Sequence, residues 1–586
     1  MLFSKPIESI LVRILEKLRR IKSLECIYVG HKITKILDEV IGNDYFGTSQ
    51  NRKRFYHVVN KITTQSRFEC VYLSLLSKGY DIKSIIWLQC ESLDENTRRR
   101  LLQNTNMFLL RYVVKPLIKH FYHPLKNHKG YEIRFIERSK WHRFQHKILN
   151  ELLRLKFLTL VTDKFLSRGE LKLFPKTSCD SLEYRPIIYP KQYRSPVTKA
   201  KFRCLSRKIE KLANTFSKIG NGSLFMFWRS YCKQTKGQTI YGIKLDIKDA
   251  FGYVNIDTVC NLIKRSNFSI SDKQFIINHI RHQYVTFHKK LYRWNHGLLQ
   301  GDRLSSSLCN LYMSNFEKEH LQEFYQAGCF LHRIVDDYFF CSVRKDEVDK
   351  FEGKVKSVFQ LNETKTQRTD EDNSELPYFG QIFNLRTRQV SKYYSFKKDC
   401  PIRHKFRFWN CKNWIPEKSK KNIISRSLQF AYNNHCFKKL ELNTAFNREE
   451  TVLKNYFEGM VFIAFKFDAA VMAIREFKQK ASDMPFLTDV LEKVVFEYSN
   501  IICYKIKQCK GKYFSGSITY MLLKNIAYRA FILVFKRRNE FYESVIRYIK
   551  KKCLYLKLEI FCVPPNVFTR LPEVFKNVCV NRKAII

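Results

Sequence analysis

The sequence predicts an α+β fold in which a small antiparallel sheet carries the chemistry and helices supply most of the mass. Three observations predict it. HRIVDDYFFCS, from His332 to Ser342, reads as two apolar strand arms meeting at a turn that holds the adjacent carboxylates Asp336 and Asp337. IYGIKLDI, from Ile240 to Ile247, reads as a buried strand ending in Asp246, with the helix-like DAFGYVNIDTVCNLIKR after it. The flanking stretches 30–155 and 195–235, and the tail beyond 390, are basic with helical character.

Two ionised Asp at one strand–turn–strand tip repel each other, so the site wants cations. A lone Asp-Asp pair is also what a solvated turn looks like; the second strand-end carboxylate makes the difference. Three carboxylates on two strands suit two Mg²⁺ ions about 3.5–4 Å apart, the arrangement that stabilises attacking and leaving oxygens in nucleotidyl transfer.

Charge narrows the function class. The 586 residues, enough for three or four domains, carry 106 Lys and Arg against 54 Asp and Glu, a formal charge of +52. Such a chain repels itself unless a polyanion neutralises it, so nucleic acid is the expected partner. Phe and Tyr supply stacking surfaces beside the cations. The 18 Cys lack paired spacing, which argues for reduced thiols and against a disulfide framework. His120, His123 and His128 cluster without the Cys or His set of a zinc finger, so a surface or RNA-facing loop is expected there. No apolar run is long enough for a bilayer, and Met1 to Leu18 is amphipathic with no secretory core. The basic clusters Arg98–Arg100, Lys418–Lys421 and Lys536–Arg538 suit nuclear import, phosphate contact or a solvated helix face equally.

Along the chain, TRRRLLQNTNMFLLRYVVKPLIKHFYHP has apolar residues at helical spacing. HPLKNHKGYEIRFIERSKW then interleaves Tyr131, Arg134, Phe135, Arg138 and Trp141, rings beside phosphate neutralisers, as single-stranded RNA recognition needs. An ordinary helical core with solvated cations fits the same composition. LKLFPKTSCDSLEYRPIIYP reads as a β-hairpin with Lys176 and Arg185 on opposite arms, able to clamp a triphosphate. Phe251 follows Asp246 closely enough for its ring to lie under the incoming sugar and clash with a 2′-hydroxyl, or else to start the core of the next helix. Asp249 reads as a turn or capping residue. Gly297 and Gly301 bracket Gln300 and allow close approach to a base pair, with Ser305 placed to cap the helix that follows. Lys365 falls in a polar loop, where it is either a general acid for the leaving pyrophosphate or a surface lysine. Tyr378, Phe379 and Gly380 form a strand–Gly–strand pattern suited to holding a primer backbone.

The ordered series LFPK…YRPI, LDIKDAF, GLLQGDRLSSSL, VDDYFF, LNETKT and YFGQIFNLRT resembles the motifs of reverse transcriptases. Its details are similar to the telomerase reverse transcriptase family: a Val before the Asp pair in L-x-R-x-V-D-D (Leu331 to Asp337), the N-x-x-K-T of Asn362 to Thr366, and a primer grip ending in L-R-T (Leu385 to Thr387). Trp87 and Leu88, the LLRYVVKPLIKHFYHP helix and IRFIERSKW resemble that family's RNA-binding domain.

The resemblance implies a right-hand polymerase (fingers, palm with an antiparallel sheet, helical thumb) behind a mostly helical RNA-binding domain. The expected division is 1–156 for RNA binding, 157–390 for fingers and palm, and 391–586 for the thumb. Asp246, Asp336 and Asp337 would be the ligands of two Mg²⁺, with the Ile247 carbonyl assisting. Lys176 and Arg185 would hold the triphosphate, Phe251 would gate the sugar, and Gln300 and Gly301 would line the nascent base pair. Lys365 would be the general acid, and Tyr378, Phe379 and Gly380 the primer grip. Tyr122, Tyr131, Arg134, Phe135, Arg138 and Trp141 would face RNA. The implied partners are a telomerase RNA template, a telomeric single-stranded DNA 3′ end, dNTPs and accessory telomerase proteins, with no membrane; the implied place is the nucleus, at telomeres. The implied activity is RNA-directed DNA synthesis. A Penelope-like retroelement enzyme and a non-catalytic RNA-binding relative are the alternatives.

Four departures from the family pattern stand out. RNA-binding-like sequence begins by about residue 50, so a compact form without the N-terminal DNA-anchoring domain is expected. Asp246 and Gly297 are close in sequence, so the family's insertion in the fingers is short or absent. Leu299 stands where many members have Pro, and Glu137 where they tend to be basic.

Overall fold

The computed structural model describes residues 29–65, 76–89, 93–126, 133–163, 165–176, 183–190, 195–217, 224–396, 402, 440–475, 484–555 and 568–578. Over these described residues it is an α+β chain with four antiparallel-dominated sheets and separate helical cores toward its two ends. Among the described residues, no helix is long and apolar enough to cross a membrane.

The N-terminal core gathers the helices Val29–Val40, Ser49–Thr64 and Glu95–Leu109 around Phe46, Phe55 and Trp87. Trp87 stacks on Tyr45 at 5.6 Å and donates Nε1–H to the Tyr45 carbonyl at 2.8 Å. The helix predicted over residues 97–124 forms over 95–121, with a π-turn at Leu110–Val114 just ahead of Pro116. Proline has no N–H to give the preceding turn, and the wider turn absorbs that loss. The helix ends at Phe121, earlier than the periodicity suggests. Tyr122–Lys126 (β1) instead pairs antiparallel with Ile133–Glu137 (β2), a hairpin inside a region expected to be helical.

The predicted basic hairpin is present as Gly169–Pro175 (β4) and Tyr184–Pro190 (β5), in a five-stranded sheet with Leu158–Leu160 (β3), Tyr284–Phe287 (β7) and Lys290–Trp294 (β8). Its order is β3-β8-β7-β4-β5. The β7–β8 turn uses His288 and Lys289, both with positive φ (46° and 66°), a mirror-image turn that elsewhere prefers Asn-Gly.

The central sheet has the order β11-β6-β10-β9, built from Tyr241–Asp246 (β6), Cys329–Ile334 (β9), Asp337–Ser342 (β10) and Gln367–Arg368 (β11). β10 is one of the two inner strands and is covered on both faces, which is why YFFC is continuously apolar. Tyr338 and Phe340 face the helices, including Ser305–His320 and Pro196–Phe216, while Phe339 and Cys341 pack with Trp228, Tyr378 and Phe383 on the other side. That is the two-residue period of a strand between two cores. The fourth sheet is Glu375–Tyr378 (β12), Gln381–Asn384 (β13) and Val390–Lys392 (β14). The side chains of Asn447 and Asn455 bond the β14 backbone, joining it to the long helix Glu449–Arg475. That helix packs with Met484–Gln508, Tyr520–Phe535 and Asn539–Tyr555 into the C-terminal helical core.

Candidate active site

Strand register builds the site. Asp337 on β10 is directly opposite Asp246 on β6 and, on its other side, opposite Ile334 on β9. The turn therefore consists of Val335 and Asp336; the expectation of a turn at the Asp pair is off by one residue, because Asp337 already belongs to β10. Val335 has φ +59°, a left-handed conformation that costs a β-branched residue about 1–3 kcal/mol. Two bonds hold the turn: the Ile247 N–H donates to the Asp336 carbonyl at 3.1 Å, and Arg333 Nη1 donates to the Val335 carbonyl at 3.0 Å.

The three carboxylates share one neighbourhood. Asp246 is buried, and Asp336 and Asp337 are half-buried. Burial, and then repulsion by Asp246, pushes the Asp336 carboxyl above the usual range against the pull of Lys365 and Arg185. Asp337 is pushed up to about 6, first by burial and then by Asp336 and Asp246, with Lys244 pulling the other way. Asp337 Oδ1 is buried without a hydrogen-bond partner. Lys365 Nζ meanwhile lies 3.1 and 3.0 Å from the two oxygens of Asp246. Among the described residues, no three carboxylate, imidazole or thiol groups close on a single point tightly enough to hold an ion as they stand. The donor set nevertheless fits hard divalent cations: all-oxygen ligands, mutually repelling, one oxygen orphaned and one carboxylate borrowing an ammonium.

The neighbouring loops are zipped to this centre. The Gln300 carbonyl accepts the Ile188 N–H at 2.9 Å, and a Cβ on Gly301 would come within 2.9 Å of the Ile188 carbonyl, so only glycine passes there. Gln300 and Gly301 thus lie against the β5 arm that carries Arg185. Phe251 packs half-buried against the central core, and its carbonyl accepts the Leu298 N–H at 2.9 Å. Asp249, with φ +56°, turns the chain just before Phe251 and pairs with His296 at 2.9 Å. Lys176 is exposed at the hairpin's end, next to a tip (177–182) outside the described residues.

Further expectations need correction. Tyr378 is 1% exposed and does not present its ring to a primer: its hydroxyl bonds His332 Nδ1 at 2.9 Å and its ring stacks on Phe339 at 4.9 Å, under the carboxylate-bearing turn. Phe379 and Gly380 do form the exposed tip of the β12–β13 hairpin, with φ +50° and +74°. Ser305 does not cap the following helix; Leu304 holds the cap position and Asp302 Oδ1 accepts its N–H at 3.2 Å. Asp302 is itself buried beside His279 (2.8 Å) and Arg168 (3.8 Å), which fix the Gln300 loop from behind.

Of the RNA-facing candidates, Arg138 is exposed, Arg134, Phe135 and Trp141 are half-buried, and Trp141 stacks on His123 at 4.3 Å. Tyr122 is 4% exposed and is a core residue, so an open stacking role for it is corrected too. Tyr131 lies outside the described residues.

Arg333, Glu317 and Lys244 were missed. For Arg333 and Lys244 the signal was present, since a charged residue within a strand is costly to bury unless it is paired, but Glu317 opens the charged run Glu317 to His320 and carried no such signal.

Comparison with known proteins extends the picture. Residues 29–152 match the RNA-binding domain of the telomerase ribonucleoprotein complex, 174–383 match reverse transcriptase (RNA-dependent DNA polymerase), and 396–586 match the telomerase reverse transcriptase thumb DNA binding domain. A telomerase reverse transcriptase from Takifugu rubripes is 22% identical over 307 residues, 48% of this chain and 27% of the relative; one from Oryza sativa subsp. japonica is 23% identical over 235 residues, 34% and 18% respectively. The matched stretches thus span about a fifth to a quarter of those relatives' length. In fold, the chain is similar to Candida albicans telomerase, with a TM-score of 0.72 at 15% identity over 95% of this chain and 93% of that one, and to Candida tropicalis telomerase, with 0.56 at 16% identity over 94% and 92%. In this order, around a fold whose carboxylates meet at one sheet end, the chain carries matches to a telomerase RNA-binding domain, a reverse transcriptase domain and a telomerase reverse transcriptase thumb domain.

Proposed function

We propose that this chain is a telomerase catalytic subunit, an RNA-directed DNA polymerase that extends chromosome 3′ ends by copying a bound RNA template. The single observation that carries the reading is the register that sets Asp246 opposite Asp337 with Asp336 at the adjoining turn. In this reading 1–156 binds RNA, 157–390 forms fingers and palm, and 391–586 forms the thumb on the DNA side. The partners are template RNA, a telomeric 3′ end, dNTPs and accessory telomerase proteins, met at telomeres in the nucleus.

Asp246, Asp336 and Asp337, with the Ile247 carbonyl, would hold two Mg²⁺. When bound, the ions supply charge that makes the primer 3′-hydroxyl a better nucleophile and stabilises the leaving pyrophosphate. Lys365 surrenders Asp246 and turns its ammonium to the leaving group as proton donor. Arg185 and Lys176 orient the triphosphate from the hairpin. Phe251 excludes a 2′-hydroxyl, the Gln300–Gly301 backbone supports the new base pair, and Phe379–Gly380 steadies the primer strand.

The test is to purify the chain with its native RNA, supply Mg²⁺, dNTPs and a DNA primer, and sequence the products. Tandem repeats that vanish on RNase treatment, and in Asp336→Ala, are expected. Extension only to the end of an added template would overturn the telomeric part of the reading. Undiminished extension by Asp336→Ala would overturn the site.

A further inference from the structure

A second layer of polar residues lies behind the carboxylate turn. Arg333 is 1% exposed and Glu317, from the helix Ser305–His320, is 0% exposed; the guanidinium Nε bonds Glu317 Oε1. The Tyr338 hydroxyl donates to the same oxygen at 2.9 Å. Arg333 Nη2 donates to Asn310 Oδ1 at 2.9 Å and reaches Ser314 Oγ at 3.4 Å on that helix. Its remaining arm, Nη1, reaches out of the core to the Val335 carbonyl at 3.0 Å. One planar fork thus joins a buried helix to the strained residue immediately before Asp336.

We propose that Arg333 is a positioning residue: its guanidinium, anchored by Glu317 and Asn310, holds Val335 in its left-handed conformation and so sets where the Asp336 carboxylate stands. Three points support a role beyond packing. A buried ion pair is poor stabilising material compared with apolar side chains of similar size. Only a guanidinium has the fork that binds Glu317, Asn310 and the Val335 carbonyl at once; a Lys keeps the charge but has one nitrogen to share among them. Finally, a two-residue hairpin turn that needs positive φ ordinarily recruits Gly or Asn, and here a β-branched Val is kept there by an external bond. The Gln300 loop belongs to the same unit, since the helix that bears Glu317 and Asn310 begins at Ser305 directly after it.

This inference rests on reading the carboxylates as the nucleotidyl-transfer site, and the experiment separates the two. Primer extension, melting temperature and Mn²⁺ affinity by electron paramagnetic resonance are measured on the full chain bound to RNA and a chain-terminated primer. The set comprises wild type, Arg333→Lys, Arg333→Lys with Val335→Gly, and Asp336→Ala. A displaced carboxylate costs about 10- to 100-fold in rate, so Arg333→Lys is expected to lose that much extension and at least tenfold in Mn²⁺ affinity while remaining folded. Glycine adopts positive φ without the bond, so Val335→Gly is expected to restore part of both losses. Equal losses with and without Val335→Gly, or a loss that follows only the melting temperature, would overturn the proposal. So would unchanged Mn²⁺ affinity in Arg333→Lys. If Asp336→Ala retains extension, the underlying reading of the site fails instead.

Discussion

Lys365 Nζ sits 3.0 Å from Asp246 Oδ2, joining the lysine of the polar loop after the helix Lys345–Lys356 to the carboxylate that ends β6. The loop is brought there by backbone: the Asn362 N–H donates to the Asp246 carbonyl at 2.8 Å, and Ile247 bridges Leu361. Lys365 is thus delivered to the carboxylates by the same strand that carries Asp246. If it donates a proton in the reaction, Lys365→Ala lowers the single-nucleotide addition rate about 100-fold with little change in primer affinity. A rate within a factor of two of wild type would leave it a counter-ion.

Phe251 is held by its backbone as well as by its ring. A Cβ on Gly297 would stand 2.2 Å from the Phe251 carbonyl, so the approach of the two loops requires glycine there. The ring is half-buried against the central core, a few residues beyond Asp246 along the chain. Phe251→Ala is expected to reduce discrimination against ribonucleotides by about tenfold or more, while Phe251→Tyr preserves it. Steady-state comparison of dNTP and rNTP incorporation checks both; an unchanged ratio in Phe251→Ala makes the ring core only.

Tyr378 and Phe379 are adjacent in sequence but differ in surroundings. Tyr378→Phe removes a buried hydroxyl from His332 and is expected to cost about 1 kcal/mol of stability with primer affinity unaltered. Phe379→Ala at the exposed tip is expected to weaken primer binding severalfold at constant melting temperature. Fluorescence anisotropy with labelled primer and thermal melts distinguish them; the reverse pattern would restore Tyr378 to the primer surface.

Glu458, on the helix Glu449–Arg475, sets a pH dependence away from the active site. Burial pushes its carboxyl up to about 7, and Lys454 only partly offsets this. A carboxyl whose folded pKa lies above its unfolded value contributes stability that is complete below the unfolded pKa, near 4.5, and lost as pH rises through about 7. At most about 3 kcal/mol is involved. Melting temperature is expected to fall between pH 5 and about 7.5 in wild type, and to fall less in Glu458→Gln. Parallel curves for the two proteins would contradict the assignment.

Much of this was legible in the chain itself. The strand periods around Asp246 and Asp336–Asp337, the basic hairpin of Lys176 and Arg185, and the Gly297–Gly301 loop are local patterns, set by which side chains alternate and where glycine is required. The hairpins β1–β2 and β7–β8 were not legible. The first follows a helical stretch directly, and its breakers Pro124 and Gly130 mark a helix end and a turn without showing that the flanking residues pair as strands; the second turns on His288 and Lys289, which carry no turn signature.

The sequence alone determined the α+β class, the excess of positive charge that makes nucleic acid the expected partner, and the residue types that suit two-metal chemistry, because each of these depends on composition or on neighbours a few positions apart. Only the tertiary structure decided that Asp337 faces Asp246, that Lys365 reaches Asp246, that Tyr378 turns inward while Phe379 turns out, and that Arg333 braces Val335. Those relationships pair residues distant in sequence or depend on which face of a strand is buried. Sheet register and core packing select them, and neither can be read from one strand at a time.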